Sequence, residues 1–155
     1  MRFFLLLLAL LTLSPLPAHA QTMQDACARN ANDDRLRPIG AALVAPARAV
    51  FGLAASAPDE WVRASTVARC MGGQVWLCNR GANIPCGKAN ARKANAGASA
   101  FCRQNPGAET VPMAATGHDT LYAYMCRGAV ARVAKQVSAV DARGFVADAW
   151  KRLPR

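Results

Sequence analysis

Six cysteines, at positions 27, 70, 78, 86, 102 and 126, all lie behind an apolar leader. The leader, MRFFLLLLALLTLSPLPAHA, has a positive start at Arg2 and an apolar run over residues 3–13. It ends in the small-x-small triplet Ala18-His19-Ala20. These are the three parts of a secretory signal peptide. The run is too short to span a bilayer, which takes about 20 apolar residues. No cysteine sits at the cut, which argues against a bacterial lipid anchor. We therefore expect cleavage near Ala20, a mature chain from Gln21, and a periplasmic or secreted product. In an oxidising compartment an even set of cysteines is expected to be consumed as three disulfides. The spacings C-x7-C, C-x7-C, C-x15-C and C-x23-C contain no zinc knuckle, and beyond the leader His118 is the sole histidine. No metal and no cofactor is implied.

The length suits one domain, divided here into a leader (1–20), an N-terminal arm (21–58) and a core (59–155). The arm looks irregular or helical in short pieces. Residues 47–53 suit a helix with Pro46 at its first position. Ser56 resembles a helix cap ahead of Asp59, Glu60, Trp61 and Val62. Residues 65–71 and 74–78 flank Gly72-Gly73, a dipeptide favoured in two-residue hairpin turns. That turn sets the register: Met71 opposite Gln74, Cys70 opposite Val75, Arg69 opposite Trp76, Val67 opposite Cys78. Side chains alternate faces along a strand. Cys70 then shares a face with Val75 and Leu77, Cys78 lies on the other with Trp76, and the two are not bonded to each other.

Residues 87–104 read as one alanine-rich helix, stopped by Asn105-Pro106-Gly107, with Ala94, Ala98 and Phe101 as an apolar stripe. Gly97 and the other small residues suggest close packing on a sheet. On a continuous helix Cys86 and Cys102 stand ~24 Å apart at ~1.5 Å per residue, too far for a bridge. Cys78 is thereby directed to Cys86 across NRGANIP. Cys27, Cys70, Cys102 and Cys126 are left to pair among themselves; we take Cys27–Cys70 with Cys102–Cys126, a choice the residues do not force. The last third suggests a three-stranded meander: 121–126, 130–140 and 145–153, with turns at Arg127-Gly128 and residues 141–144. The valines at 130, 133, 137 and 140 also fit a helical face; β-branching favours a strand. The expected fold class is α+β: an antiparallel sheet of about five strands, one main helix packed on it, short N-terminal helices, and disulfide staples.

RCMGGQVWLCNRGANIPCGKAN, TGHDT at 116–120 and VDARGF at 140–145 together resemble a family of small exported bacterial proteins of unknown function. The resemblance covers roughly residues 60–153 and implies a bacterial, periplasmic setting. It implies no activity and no site residues.

The formal net charge is +10, and no acid occurs between Glu60 and Glu109. That window of 48 residues carries seven bases: Arg63, Arg69, Arg80, Lys88, Arg92, Lys93 and Arg103. Lys88, Arg92 and Lys93 fall in the first turns of the expected helix, where cations oppose the macrodipole. Backbone N–H groups at a helix start attract anions, and three cations would strengthen such a site. Arg80, Asn79 and Asn83 lead into it, and Trp76 could stack on a ring. The alternative is that these charges only solvate the helix. A catalytic reading rests on His118-Asp119 as a general base and its company. Adjacent residues of an extended chain point apart, and Ser65, Ser99 and Ser138 lie in no G-x-S-x-G elbow; a polar-capped turn at 116–120 explains the pair as well. Carboxylate pairs at Asp33-Asp34 and Asp59-Glu60 fit loop and helix-start roles. The expected function is binding without catalysis in the cell envelope, directed at an anionic component or an acidic protein. A small periplasmic hydrolase using His118 is the alternative. Export argues against nucleic acid as the ligand.

Overall fold

The computed structural model describes residues 22–81 and 85–154. The leader with its cleavage site, and Ala82, Asn83 and Ile84 of the loop between Cys78 and Cys86, lie outside them. In chain order the elements are α1 (Thr22–Arg29), β1 (Asp33–Pro38), α2 (Val44–Phe51), α3 (Asp59–Ser65), β2 (Thr66–Met71) and β3 (Gln74–Asn79). Then come α4 (Ala96–Gln104), α5 (Met113–Thr116), β4 (Tyr122–Arg127), β5 (Val130–Gln136) and β6 (Lys151–Arg152). The fold is α+β with antiparallel sheets. Its strands divide into a four-stranded sheet ordered β1-β2-β3-β6 and a two-stranded β4-β5 ribbon.

The β2–β3 hairpin has the register that the double glycine dictates: Met71↔Gln74, Cys70↔Val75, Arg69↔Trp76 and Val67↔Cys78. Gly72 and Gly73 both take positive φ, 59° and 72°, a pair that only a type I′ turn requires. The arm departs from the expectation. Residues 33–38 form an edge strand against β2, Asp33 opposite Cys70 and Arg37 opposite Ala68, with an irregularity between. Its DDRLRP sequence lacks β propensity. The pairing is held at the hairpin tip instead, where Gly73 N–H donates to Ala31 O (2.9 Å) and Gly72 N–H to Asn32 Oδ1 (3.1 Å). Further along the arm, Pro46 lies in the first turn of α2 but not at its first position. Pro58, not Ser56, precedes α3, and no side chain caps that helix.

Two other expectations are corrected. The main helix begins at Ala96, not near Gly87, and packs on the β4–β5 ribbon and on α5. Residues 87–95 are not helical: Lys88 and Asn90 are engaged in isolated bridges, Lys88↔Phe145 and Asn90↔Thr120, which alanine-rich composition does not reveal. The meander is also broken. The chain leaves β5 at Gln136 and crosses to the larger sheet, where β6 pairs with β3 through Trp76↔Arg152 and Leu77↔Lys151. Residues 130–136 are nevertheless strand, with β-branched Val130 and Val133 opposite Arg127 and Tyr124.

Three cores result, each holding one disulfide. Cys27–Cys70 lies under the arm with Val62, Val75 and Leu77. Cys78–Cys86 lies on the opposite face of the sheet with Val67, Phe145 and Trp150. Cys102–Cys126 lies between α4 and the ribbon with Ala98, Val111 and Tyr124. The sequence separations are 43, 8 and 24 residues.

Candidate functional site

Arg69 occupies the middle of β2 between buried neighbours and is itself 0% exposed. Alternation along the strand points it to the face shared with Val67, away from Cys70. A buried guanidinium needs a counter-ion and a polarisable setting. Asp141 supplies the first through its Oδ2, which accepts from Arg69 Nη2. Phe145 and Trp150 supply the second, with ring centroids 4.0 and 4.5 Å from the guanidinium carbon. The rings meet edge to face, 5.6 Å apart. Nε and Nη1 of Arg69 find no hydrogen-bond acceptor among the described residues, so its contacts there are the ion pair to Asp141 and the two rings. The other Asp141 oxygen accepts from Arg143 N–H (2.8 Å) and Phe145 N–H (3.1 Å), closing the turn that carries Phe145.

Sequence reasoning treated 141–144 only as a turn and missed this cluster. The signal was present: an arginine inside the apolar strand TVARCM demands a partner, and DARG followed by two aromatics could provide one. Around it lies a second ion cluster. Asp34 on β1 receives Arg143 Nε and Lys88 Nζ, each at 2.9 Å. Those hydrogen bonds, Arg143's first, hold the Asp34 carboxyl down at about 2.

The expected anion site is not assembled as the sequence suggested. Lys88 is committed to Asp34, and its ammonium also stands 5.7 Å from the Phe145 ring. Arg92 and Lys93 are exposed on the non-helical segment before α4. The start of α4 is capped from within: Asn95 Oδ1 accepts the Ala98 N–H at 2.9 Å, and Asn95 Nδ2 donates to Thr116 O at 2.8 Å. Trp76 is half-buried, and its indole N–H donates to Met71 O at 3.2 Å within its own hairpin. Arg80 is exposed just beyond β3, with its backbone N–H on Ser65 O.

Folding nevertheless sharpens the charge imbalance. Of the nine acids, Asp33, Asp34, Asp59 and Asp141 are paired, with Arg37, Lys88 and Arg143, Arg48, and Arg69. Arg63, Arg80, Arg92, Lys93 and Arg103 are all exposed, and none has an ion-pair partner among the described residues.

His118 and Asp119 lie in a turn after α5, opened by Gly117 at φ 85°. His118 is exposed and lines a pocket of about 230 Å³ together with Ser138 and Asp148. No hydrogen bond joins His118 to Ser138, Asp148 or Asp119 among the described residues, so no nucleophile–base pair is formed there. Comparison with family models, with curated proteins and with solved structures finds no match to this chain. Among the described residues, no helix is long and apolar enough to cross a membrane.

Proposed function

We propose that this chain is an exported, non-catalytic binding protein whose basic exterior holds an anionic component of the cell envelope or an acidic protein. One observation carries the reading. Four acids are spent on bases, two of which, Arg69 and Lys88, belong to the acid-free window. The other five cations of that window remain exposed and unpaired among the described residues. Such a field draws anionic partners and screens with salt. Three disulfides suit the oxidising space to which the leader would direct the chain. Export itself is tested by N-terminal sequencing of the released protein, which should begin at Gln21.

The binding test is adsorption to phosphatidylglycerol vesicles against neutral phosphatidylcholine vesicles over a salt series. The triple variant Arg80→Glu, Arg92→Glu, Lys93→Glu should adsorb more weakly and with a shallower salt dependence, while unfolding at the same denaturant concentration. Unchanged adsorption would reduce the acid-free window to solvation. A hydrolase centred on His118 is the second reading, favoured by the pocket that gathers His118, Ser138 and Asp148. A hydrolysis abolished by His118→Ala in a folded protein would replace the first reading with it.

A further inference from the structure

Where the ribbon meets the larger sheet, two pockets of about 230 and 300 Å³ adjoin. They share Met113, Thr120 and Val137, so they form one groove. The groove is built by the crossing of the chain: Val137 N–H on Leu121 O closes one side, and the Val140↔Val146 bridge the other. Its floor is apolar, with Met113, Val137, Val146 and Ala149. Met113 and Val137 are 44% and 52% exposed, although apolar side chains of this size gain by burial.

The charge of the groove runs against that of the molecule. The chain has 19 Lys and Arg side chains, yet none lines either pocket. One of the five acids without an ion pair among the described residues, Asp148, lines the groove, so the formally charged side chain in its lining is a carboxylate. The side chains of Asp148, Ser138 and His118 make no hydrogen bond to the described chain, so their polar atoms are free for a ligand. An apolar cleft with a few convergent polar groups is the usual form of a small-ligand site.

We propose that this groove binds a primary ammonium group carried on an apolar body, with the ammonium on Asp148 and Ser138 and the body over Met113 and Val137. An ammonium offers donors only, which suits a carboxylate and a hydroxyl and leaves no unmatched acceptor. The basic exterior repels cations at long range. At about 0.15 M salt that repulsion is screened beyond about 8 Å, and the carboxylate in contact decides. The same chemistry could be presented by a free amine or by the N-terminus of an apolar peptide. The site is separate from the basic surface proposed above and stands or falls without it.

The test is an NMR titration of the full mature protein at about 0.15 M salt, following the methyls of Met113, Val137 and Val146. The probes are phenethylammonium and leucyl-leucinamide, with N-acetylphenethylamine and 3-phenylpropionate as matched bodies lacking the positive charge. Both amines should give saturable shifts confined to the groove, and the tighter of the two identifies the source. The uncharged and anionic probes should bind at least about threefold more weakly, the size of an exposed ion pair. Asp148→Asn, a change at an exposed position, should weaken both amines by about three- to fivefold and leave N-acetylphenethylamine unchanged. Val137→Ser should weaken all apolar probes alike. The proposal is overturned by equal binding of the acetylated or anionic probe, by indifference to Asp148→Asn, or by the absence of saturable shifts. Asp148→Asn should leave adsorption to anionic vesicles intact, which keeps this outcome distinct from that of the basic surface.

Discussion

Val67, Ala68 and Cys70 are buried on either side of Arg69, so its guanidinium can be satisfied only by what covers the sheet. This makes the two partners of the Arg69–Asp141 pair unequal. Removing Asp141 leaves a buried charge without a counter-ion, which costs about 3–5 kcal/mol. Replacing Arg69 by methionine keeps the volume between the rings and leaves Asp141, 12% exposed, still accepting two backbone N–H groups. That change should cost about 1–2 kcal/mol. Denaturant unfolding of Asp141→Ala and Arg69→Met should therefore rank them in that order, and the reverse order would show that the guanidinium is not held mainly by Asp141. Asp34 gives a pH signature. Its carboxyl titrates near 2 in the folded chain against an ordinary value of 3.8. A depressed folded value means that the contribution is complete above about pH 4 and is lost as pH falls toward 2. The side chain is 23% exposed, so screening limits the effect to about 1 kcal/mol. Asp34→Asn should flatten the stability curve across that acid window and lower it by the same amount at neutral pH.

The start of α4 shows how one position can serve two elements. Asn95 caps the helix through Ala98 N–H and reaches α5 through Thr116 O, so Asn95→Ala removes a cap and an inter-helix contact together. A cost of about 1–2 kcal/mol is expected, read as a shift in the thermal midpoint. Gly97 is tighter still. A Cβ there would stand 1.8 Å from the carbonyl oxygen of Ala115, a backbone atom that cannot turn aside. Gly97→Ala, normally favourable in a helix, should instead separate α4 from α5 and cost about 2–4 kcal/mol. A neutral or stabilising result would show that the two helices do not cross so closely. The small residues of this helix thus serve contact with another helix, in addition to packing on the ribbon.

No described cysteine is free, and the three bridges are distributed one to a core. Small separate cores supply little stability each, and covalent closure compensates. In the chain-entropy account the loops of 43, 24 and 8 residues contribute about 4, 3.5 and 2.5 kcal/mol. Paired Cys→Ala changes should therefore rank Cys27–Cys70 as most damaging and Cys78–Cys86 as least, measured by urea midpoint. Unreduced, denatured protein should take up no alkylating reagent. Uptake of two equivalents would show an open bridge and reorder that ranking. Between cores, the Arg69 cluster and the Asp34 cluster tie β1, β2, Lys88 and the turn at 141–145 together.

Local rules carried the hairpin: Gly72-Gly73 can take the positive φ of a tight turn, and period-two alternation assigns Cys70 and Cys78 to opposite faces; the Cys78–Cys86 bridge is present, although the helix expected over 87–104 to part Cys86 from Cys102 begins only at Ala96. The α+β class was legible for the same reason, since strand and helix periods are written in neighbouring residues. What neighbours could not show was where edges are satisfied. β1 lacks strand propensity and exists because β2 has a free edge; residues 87–95 look helical but are not, with Lys88 and Asn90 bridged to Phe145 and Thr120; β6 leaves the ribbon for β3. Arg69 and Asp141 are 72 residues apart, and the residues of the groove come from Pro85, from residues 110–120 around α5, from the start of β4 and from the crossing beyond β5. Charge was countable along the chain, but pairing was not. Lys88 meets Asp34 and Arg69 meets Asp141 only after the sheet has formed, because ion pairs depend on distance in space and composition records none.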